Sequence, residues 1–314
     1  MRILFWGTPE FAVPALRALQ EEGHAVVAVV TQPDRPAGRG RQLRESPVKR
    51  EAEREGIPVL QPEKPRGEEF RSEIEALEPD LSVVAAYGHI LTEEVLALPH
   101  RGSVNVHASL LPALRGAAPV NWAIIHGHSH SGVTIMRMVR ELDAGPILYR
   151  VATPLPDDIS AGELYMMLSE MGATALIEAL AQMESGVLEE SEQEHDRATY
   201  APKLTRDEAR VDWTLSAGDL HRWIRGCDPW PAAWTELDDQ PVQLFRPEVV
   251  EAAPEVATSA EPGAVLRADA RGGLEVATGS GRLRIGEVKP AGKARMSSTA
   301  WIAGRGVAEG DRFN

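Results

Sequence analysis

Residues 24–31 read HAVVAVVT, an apolar run rich in β-branched valine. Such a run is typical of a strand in a parallel sheet, because helices cover both faces of that sheet. Residues 2–6, RILFW, and 80–86, DLSVVAA, have the same character. Residues 10–22 lie between the first two of these runs and show the spacing of an amphipathic helix. The alternation of strand and helix predicts an α/β domain with a mainly parallel sheet.

Further segments extend this pattern as far as residue 188. Short β-like runs indicate two more parallel strands and two antiparallel additions, and helical spacing indicates three more helices. The strands are expected at 57–60, 103–107, 133–138 and 147–151, and the helices at 48–55, 67–78 and 161–184. The Pro-, Gly- and Arg-rich residues 32–47 are expected to form a loop.

The composition changes after residue 188. Residues 189–199, EESEQEHDRAT, are polar and acidic, which is typical of a linker. Beyond residue 208, short β-like runs recur at a spacing of roughly ten residues, a pattern that favours a small barrel or sandwich. We therefore expect a first domain over 1–188, a linker over 189–207 and a second domain over 208–314.

Composition excludes several classes of protein. The chain has 314 residues, of which 43% are hydrophobic and 25% charged, as in ordinary globular proteins. Its one cysteine, Cys227, excludes a disulfide framework and a zinc site of several cysteines. We find in the sequence no run that approaches the roughly 20 apolar residues of a membrane span and no targeting segment. We expect a cytoplasmic, monomeric protein that does not use a membrane.

The net charge of −14 is unevenly distributed. A uniformly acidic surface would repel nucleic acid. Residues 34–50, however, carry six Lys/Arg against two Asp/Glu, and residues 264–314 carry nine against five. These two basic islands are the parts of the chain that suit a polyanion.

Asn105 and His107 are the first candidates for chemistry. They lie two residues apart on an expected strand, so their side chains share a face. An amide beside an imidazole can stabilise an oxyanion and move a proton. Equally, His107 could be a hydrogen-bonded core residue and Asn105 a turn residue. Asp143, just before Gly145 and Pro146, is either a turn residue or a partner that orients His107.

Other patterns have plainer explanations. His126, His128 and His130 alternate and could hold a metal, but one short segment cannot readily wrap a tetrahedral site, so adventitious binding is favoured. Gly7 follows the first strand without the GxGxxG pattern, which favours a tight turn over a dinucleotide loop. Four tryptophans could stack on bases or form a packing hub between domains, and we favour the hub; they are Trp213, Trp223, Trp230 and Trp234.

Taken in order, these pieces resemble the methionyl-tRNA formyltransferase family. The N-terminal motifs are GTPEFAVPAL, TQPDRPAGRG, SPVK, AAYGHIL, NVHASLLPALRGAAPV, GVTIM and ELDAGPIL, and the C-terminal ones are VDW, IRGCDPWPAAWT and GKARMS. The resemblance implies a Rossmann-like formyltransferase domain followed by a small OB-like β-barrel. It also implies transfer of a formyl group from 10-formyltetrahydrofolate to the α-amino group of methionyl initiator tRNA, with no metal.

The resemblance also assigns roles to residues. It implies Asn105, His107 and Asp143 as the catalytic trio, in which Asp143 would fix the imidazole tautomer and help to remove the proton from the amine. The implied folate-binding residues are Ser109, Leu110, Leu111, Pro112, Ala86, Tyr87, Gly88, His89, Ile90 and Leu91. The implied tRNA-binding residues are Arg35, Arg39, Arg41, Lys49, Lys289, Lys293 and Arg295.

One residue and one segment depart from the family pattern. Two other functions also stay open. Ala113 stands where the family usually has a basic residue, and the acidic residues 251–262 adjoin an expected tRNA-binding domain. A formyltransferase for a sugar nucleotide or another small amine would share the trio without needing the basic islands. A tRNA-binding protein without catalysis would not need the trio.

Overall fold

The computed structural model describes residues 1–37, 42–250 and 260–314. Within these residues the chain divides into two compact units. The first comprises Met1–Pro119, His130–Pro154 and Tyr165–Ala201, and the second comprises Val120–Ser129, Leu155–Leu164 and Pro202–Asn314.

A seven-stranded sheet forms the centre of the first unit. Its strands are β1 (Arg2–Gly7), β2 (Ala25–Val30), β5 (Val59–Leu60), β6 (Leu81–Ala85), β7 (Ser103–His107), β8 (His130–Arg137) and β9 (Ile147–Pro154), and the short pair β3 (Arg35–Ala37) and β4 (Gln42–Arg44) lies outside it. The order is β5-β2-β1-β6-β7-β8-β9, with β8 and β9 antiparallel to their neighbours and the others parallel. The predicted mainly parallel α/β sheet, with two antiparallel additions, is confirmed.

Helices connect these strands. They are α1 (Val13–Glu21), α2 (Pro47–Arg54), α3 (Glu68–Ala76), α4 (Glu93–Leu96), α5 (Pro119–Ile125) and α6 (Ala161–Ser185), with short 3₁₀ turns at Glu10–Ala12 and His195–Arg197. The start of α2 shows why a helix begins there. Ser46 accepts a hydrogen bond from the backbone N–H of Lys49, and Pro47 occupies the first turn, where its missing N–H costs nothing.

Residues of β1 and β6 form a core on one face of the sheet. Leu4, Trp6 and Val84 are buried there with Ile74 of α3. The indole N–H of Trp6 donates to Ser82 Oγ at 3.1 Å, so the ring's polar atom is satisfied. Because both faces of β1 are buried, its continuous apolar sequence follows directly.

Helix α6 packs on the sheet beside β7 and β8. A Cβ on Gly172 would lie 2.9 Å from a methyl of Val106, and Ser169 Oγ donates to the carbonyl of Phe11 at 2.8 Å. By length and composition alone, α6 is the one helix among the described residues that is long and apolar enough to cross a membrane. Half of that apolar stretch is buried inside the protein, as in a core helix.

The basic segment 32–47 differs from the expected loop. Strands β3 and β4 pair antiparallel, with Arg35 opposite Arg44 and Pro36 opposite Leu43. The composition predicted a loop because prolines and glycines are typical of loops, and strands of three residues are too short to show a strand pattern against them. Arg39 and Arg41 lie outside the described residues.

An antiparallel sheet and two helices form most of the second unit. The strands are β10 (Trp234–Leu237), β11 (Gln240–Val249), β12 (Val265–Asp269), β13 (Gly273–Ala277), β14 (Arg282–Pro290) and β15 (Met296–Ser297), and the helices are α7 (Ala217–Cys227) and α8 (Ser298–Ala303). The order is β10-β11-β14-β13-β12, and β15 pairs with β14. Asp238 and Asp239, both with positive φ, join β10 to β11 in a two-residue hairpin turn.

Aromatic rings concentrate in the core of the second unit. Trp213 stacks on Phe313 with ring centroids 5.7 Å apart, and Trp223 and Trp234 pack at the margin of the same core. Trp230 is different, because it is 65% exposed. Three of the four tryptophans thus pack in or beside the core of the second unit, and Trp230 does not; the hub between domains stays a prediction. The lone cysteine, Cys227, is buried, and this burial raises the pKa of its thiol to about 12.

Candidate active site

The carboxyl ends of the parallel strands form one edge of the first sheet. Strand β1 ends at Gly7, β6 at Ala85 and β7 at His107. The strand order reverses between β1 and β6, and open α/β sheets bind ligands outside such a point. The loops that follow these two strands are joined, since Thr8 Oγ1 donates to the carbonyl of Tyr87 at 3.0 Å.

Asn105 and His107 project from one face of β7, and Val106 projects from the other face toward α6. His107 is 5% exposed, and its Nε2 lies 3.0 Å from the carbonyl oxygen of Leu114. A carbonyl oxygen only accepts, so Nε2 carries the proton of this hydrogen bond. The half-buried amide of Asn105 has no hydrogen-bond partner among the residues that the structure describes.

Asp143 faces the other nitrogen of the same imidazole. Its Oδ2 lies 3.7 Å from His107 Nδ1, and its side chain is 11% exposed. The same oxygen accepts a hydrogen bond from the backbone N–H of Gly116 at 2.8 Å. The separation of 3.7 Å exceeds hydrogen-bond length. The family resemblance implies that Asp143 fixes the tautomer of His107. In the structure the carbonyl of Leu114 does so, because it accepts the hydrogen bond from Nε2–H.

The turn of residues 109–112 follows β7 and is held from β8. Thr134 Oγ1 donates to the carbonyl of Ser109 at 2.7 Å and accepts from the N–H of Leu111 at 3.1 Å. The side chains of Ser109 and Leu111 are buried, and those of Leu110 and Pro112 are partly exposed. A ligand at this turn would therefore meet Leu110, Pro112 and backbone atoms.

The loop of residues 86–91 follows β6 and combines buried and exposed positions. Tyr87 and Leu91 are buried, and burial raises the pKa of Tyr87 to about 12. The hydroxyl of Tyr87 has no hydrogen-bond partner in the described chain. Ile90 is 85% exposed, and Ala86, Gly88 and His89 are exposed as well. Tyr87 and Leu91 thus anchor the loop, while the other four residues are accessible to a ligand.

This chain matches two family descriptions, one over each part of its length. Residues 1–180 match the family described as formyl transferase, and residues 203–306 match the formyl transferase C-terminal domain. Methionyl-tRNA formyltransferase of Desulfotalea psychrophila is 47% identical over 305 residues, covering 97% of this chain and 93% of that protein. That of Bacillus velezensis is 45% identical over 311 residues, covering 99% and 96%. The chain belongs to the methionyl-tRNA formyltransferase family.

The fold of this formyltransferase also occurs in a more distant solved structure. HypX from Aquifex aeolicus in complex with tetrahydrofolic acid superposes with a TM-score of 0.67 at 21% identity. The match covers 98% of this chain and 48% of that one, so the chain spans about half the length of HypX. At this identity the likeness concerns the fold.

The first basic island of the formyltransferase holds free and paired cations. Lys49 Nζ lies 2.5 Å from Asp34 Oδ2 and 3.5 Å from Glu45, and the hydrogen bond that Lys49 donates to Asp34 raises the pKa of Lys49. Arg35 is exposed, with its guanidinium 3.3 Å from the amide oxygen of Gln32. Arg35 is therefore available to an anion, and Lys49 is already neutralised.

The second basic island also contains both cations that are paired with carboxylates and cations that are not, among the described residues. Arg295 forms a two-bonded pair with Asp228 and a further bond to Glu287, and its guanidinium stacks 3.9 Å from the Phe245 ring centroid. Lys289 and Lys293 are exposed, and neither has an ion pair within the described ranges. Five arginines of this island contact carboxylates: Arg267, Arg282, Arg284, Arg295 and Arg312.

Sequence reasoning missed several groups that hold the site. Leu114 acts through its carbonyl and Gly116 through its N–H, and backbone atoms leave no residue-type signal. Thr134 lies in the GVTIM motif, but nothing in that motif indicates its bonds to the neighbouring turn. His126 and His128 are exposed, and no group of His, Cys, Asp or Glu in the described parts of the chain is placed to hold a metal.

Proposed function

We propose that this formyltransferase moves the formyl group of 10-formyltetrahydrofolate to the α-amino group of methionine on initiator tRNA. The juxtaposition of His107 and Asp143, with Asn105 two residues along the same strand, carries the proposal. The name shared by the two relatives supports the choice of acceptor.

Asn105 supplies the first catalytic contribution. Attack of the neutral amine on the formyl carbon places negative charge on the formyl oxygen. The Asn105 amide is half-buried and unbonded within the described chain, so it can donate to that oxygen without first breaking another hydrogen bond. One such donor contributes about 3 kcal/mol to the stability of the transition state.

His107 and Asp143 accept the proton of the attacking amine and pass it on. Nε2–H of His107 is engaged by Leu114, which leaves Nδ1 as the nitrogen that meets the reacting groups. In this tautomer Nδ1 and Asp143 Oδ2, 3.7 Å apart, are both acceptors, so they can share a proton only when the reaction delivers one to them. The proton released by the attacking nitrogen passes to this pair and then to the departing nitrogen of the folate. No net charge is left on the protein.

The donor occupies the edge between β6 and β7 in this proposal. Exposed residues of the loop that follows β6 contact its ring, with Ile90 covering one face and Gly88 allowing the backbone to approach. Leu110 and Pro112 form the opposing wall. The buried residues of the same segments, Tyr87, Leu91, Ser109 and Leu111, keep the two walls in place.

The acceptor tRNA contacts the two basic islands. Arg39 contacts the acceptor end directly, and Arg35 and Arg41 neutralise phosphates beside it. The exposed Lys289 and Lys293 neutralise further phosphates of the tRNA backbone. We propose that the second unit is an OB-like barrel with this role, and that the functional domains are 1–188 and 208–314 with the linker 189–207. A cytoplasmic location, a monomeric state and the absence of a metal requirement stay predictions.

One assay separates this function from its alternatives. Purified protein is incubated with 10-formyltetrahydrofolate and methionyl initiator tRNA, and N-formylmethionine is measured after the aminoacyl ester is hydrolysed. An amino-sugar nucleotide replaces the tRNA in a parallel reaction. Formylation of the tRNA supports the proposal. Formylation of the sugar alone identifies a small-amine enzyme, and tRNA binding without either product identifies a binding protein.

A further inference from the structure

Gln193 lies in the segment that composition marks as a linker, yet it is 4% exposed. Both of its amide hydrogens are donated, one to the carbonyl of Asp143 at 2.9 Å and one to the carbonyl of Gly145 at 2.7 Å. Its Oε1 accepts from the guanidinium of Arg115 at 2.6 and 3.2 Å. Gln193 therefore binds the turn that presents Asp143 and, on its other side, a buried arginine.

Arg115 lies between two backbone groups that hold the catalytic pair. The residue before it, Leu114, accepts from His107, and the residue after it, Gly116, donates to Asp143. Arg115 is 5% exposed and has no carboxylate partner in the described residues. Its guanidinium bonds instead to Gln193 and to Nδ1 of His195 at 3.0 Å. Such a buried cation depends on neutral acceptors that stay in place.

Residues 199–201 hold the same loop along its backbone. Leu114 N–H donates to Thr199 Oγ1 at 2.9 Å, and Arg115 N–H donates to the carbonyl of Thr199 at 2.8 Å. Ala201 N–H returns a bond to the carbonyl of Arg115 at 2.7 Å. Gly116, at φ +118, approaches so closely that a Cβ would lie 2.8 Å from the carbonyl oxygen of Ala201. The loop is thus fixed, and Gln193 connects it to the Asp143 turn.

We propose that Gln193 is a positioning residue that sets the separation between Asp143 and His107. The loop at Leu114 holds His107, the turn 143–145 carries Asp143, and the Gln193–Arg115 pair joins the two. The inference rests on the proposed function for its catalytic consequence. A displacement of about 1 Å between reacting groups can cost about 100-fold in rate, so this buried amide acts on turnover without touching substrate.

The sharpest test is Gln193→Glu. A glutamate still accepts from Arg115, so the buried cation keeps a partner, but the carboxylate cannot donate to the carbonyls of Asp143 and Gly145. We expect kcat for tRNA formylation to fall about 10- to 100-fold, with KM values for both substrates unchanged. Glu192→Gln, at the exposed neighbouring position, is the matched control and should keep the wild-type kcat. A loss that appears only in KM would overturn the inference.

A double-mutant cycle separates positioning from general stability. In the Asp143→Ala background, Gln193→Glu should cause no further loss of kcat, because Gln193 acts through Asp143. Losses that multiply in the double variant would show that Gln193 acts elsewhere. If Gln193→Glu does not fold, the paired change Arg115→Met with Gln193→Met removes both polar partners together and is tested in the same cycle.

Hydrogen exchange at the Gly116 amide gives a readout without substrate. This N–H is bonded to Asp143 Oδ2, so displacement of the turn in Gln193→Glu should speed its exchange, measured by NMR on the labelled full chain. Unchanged exchange overturns the inference even if tRNA is formylated. Faster exchange in a protein that formylates no tRNA supports the inference and overturns the proposed function.

Discussion

His107 donates from Nε2 to the carbonyl oxygen of Leu114 across 3.0 Å. Leu114 is buried and has a φ of +61, so its carbonyl is presented by a backbone conformation that few residues other than glycine adopt. The bond holds the imidazole in one tautomer before any substrate arrives. Nδ1, the nitrogen that faces Asp143, is left to serve the reaction.

We expect Asp143→Asn and His107→Gln to lower kcat by more than about 100-fold. In the first variant the new amide oxygen can still accept from the Gly116 N–H, and in the second the new amide can still donate to Leu114. Both proteins should therefore remain folded. What each variant loses is the group that takes the proton. The measurement is single-turnover formylation at saturating folate, with thermal unfolding as the check on folding.

Glu141→Gln is the matched control for Asp143→Asn, since Glu141 is exposed in the same turn. It should form product at the wild-type rate. If folded Asp143→Asn also turned over at that rate, Asp143 would have no part in proton transfer.

Thr134→Val tests the support of the turn 109–112. Valine keeps the shape of threonine but removes the hydroxyl that donates to Ser109 and accepts from Leu111. The buried N–H of Leu111 is then unpaired, at a cost of about 1–3 kcal/mol in the free energy of unfolding. We expect weaker folate binding in a fluorescence titration. Thr153→Val on β9 is the control, and equal folate affinity in both variants would exclude Thr134 from this role.

Much of the sheet could be predicted because its signal is local. Strand β7 occupies residues 103–107, as expected from its β-branched pattern, and β8 and β9 fall on the predicted antiparallel runs. In the central strands β1 and β6, burial of both faces favours a nearly continuous apolar sequence. The hairpin of β3 and β4 was missed, because three residues a side carry too little pattern to outweigh their prolines and arginines.

Only some side chains of the candidate site could be predicted from the sequence. Asn105 and His107 share a face because β-strands alternate, and that follows from spacing. The 3.7 Å approach of Asp143 depends on two loops far apart in the chain, and spacing gives no information about it. The role of Gln193 could not be predicted at all. Its neighbours are acidic and exposed, so the average composition of the segment indicates a linker and does not single out one buried residue.

Lower pH should destabilise the second unit through His221. Burial, together with Arg225 and Arg222, lowers the pKa of His221 from 6.5 to about 4. Between those two pH values the unfolded chain binds a proton on this residue and the folded chain does not. The free energy of unfolding therefore falls as pH drops from about 6.5 to about 4. His221→Gln should make this dependence shallower, as measured by urea unfolding at a series of pH values.

His100→Gln is the control for that series, because His100 is exposed on the first unit. It should leave the pH dependence of unfolding as in the wild type. An identical slope in His221→Gln would mean that other groups produce the acid sensitivity.

The exposed lysines and Arg295 of the second basic island should respond differently to substitution. Lys289 and Lys293 have no ion pair among the described residues, so their charge is available to phosphates. Lys289→Gln with Lys293→Gln should weaken tRNA binding and reduce the slope of log affinity against log salt by about 1 per lost contact. The measurement is tRNA binding by filter retention across a salt series, with thermal unfolding to show that stability is unchanged.

Arg295→Gln is the matched variant, with one cation removed from the same surface. Its guanidinium is already neutralised by Asp228 and Glu287 and stacked on Phe245, so the salt slope should stay near the wild-type value. The loss should appear in folding instead, because the buried side chain of Asp228 would lose the guanidinium that donates two hydrogen bonds to it. We expect about 2 kcal/mol less free energy of unfolding. The opposite result would be that Arg295→Gln lowers the salt slope as the lysine changes do and leaves stability unchanged. That result would contradict this prediction, because it would mean that Arg295 exchanges Asp228 and Glu287 for a phosphate when tRNA binds.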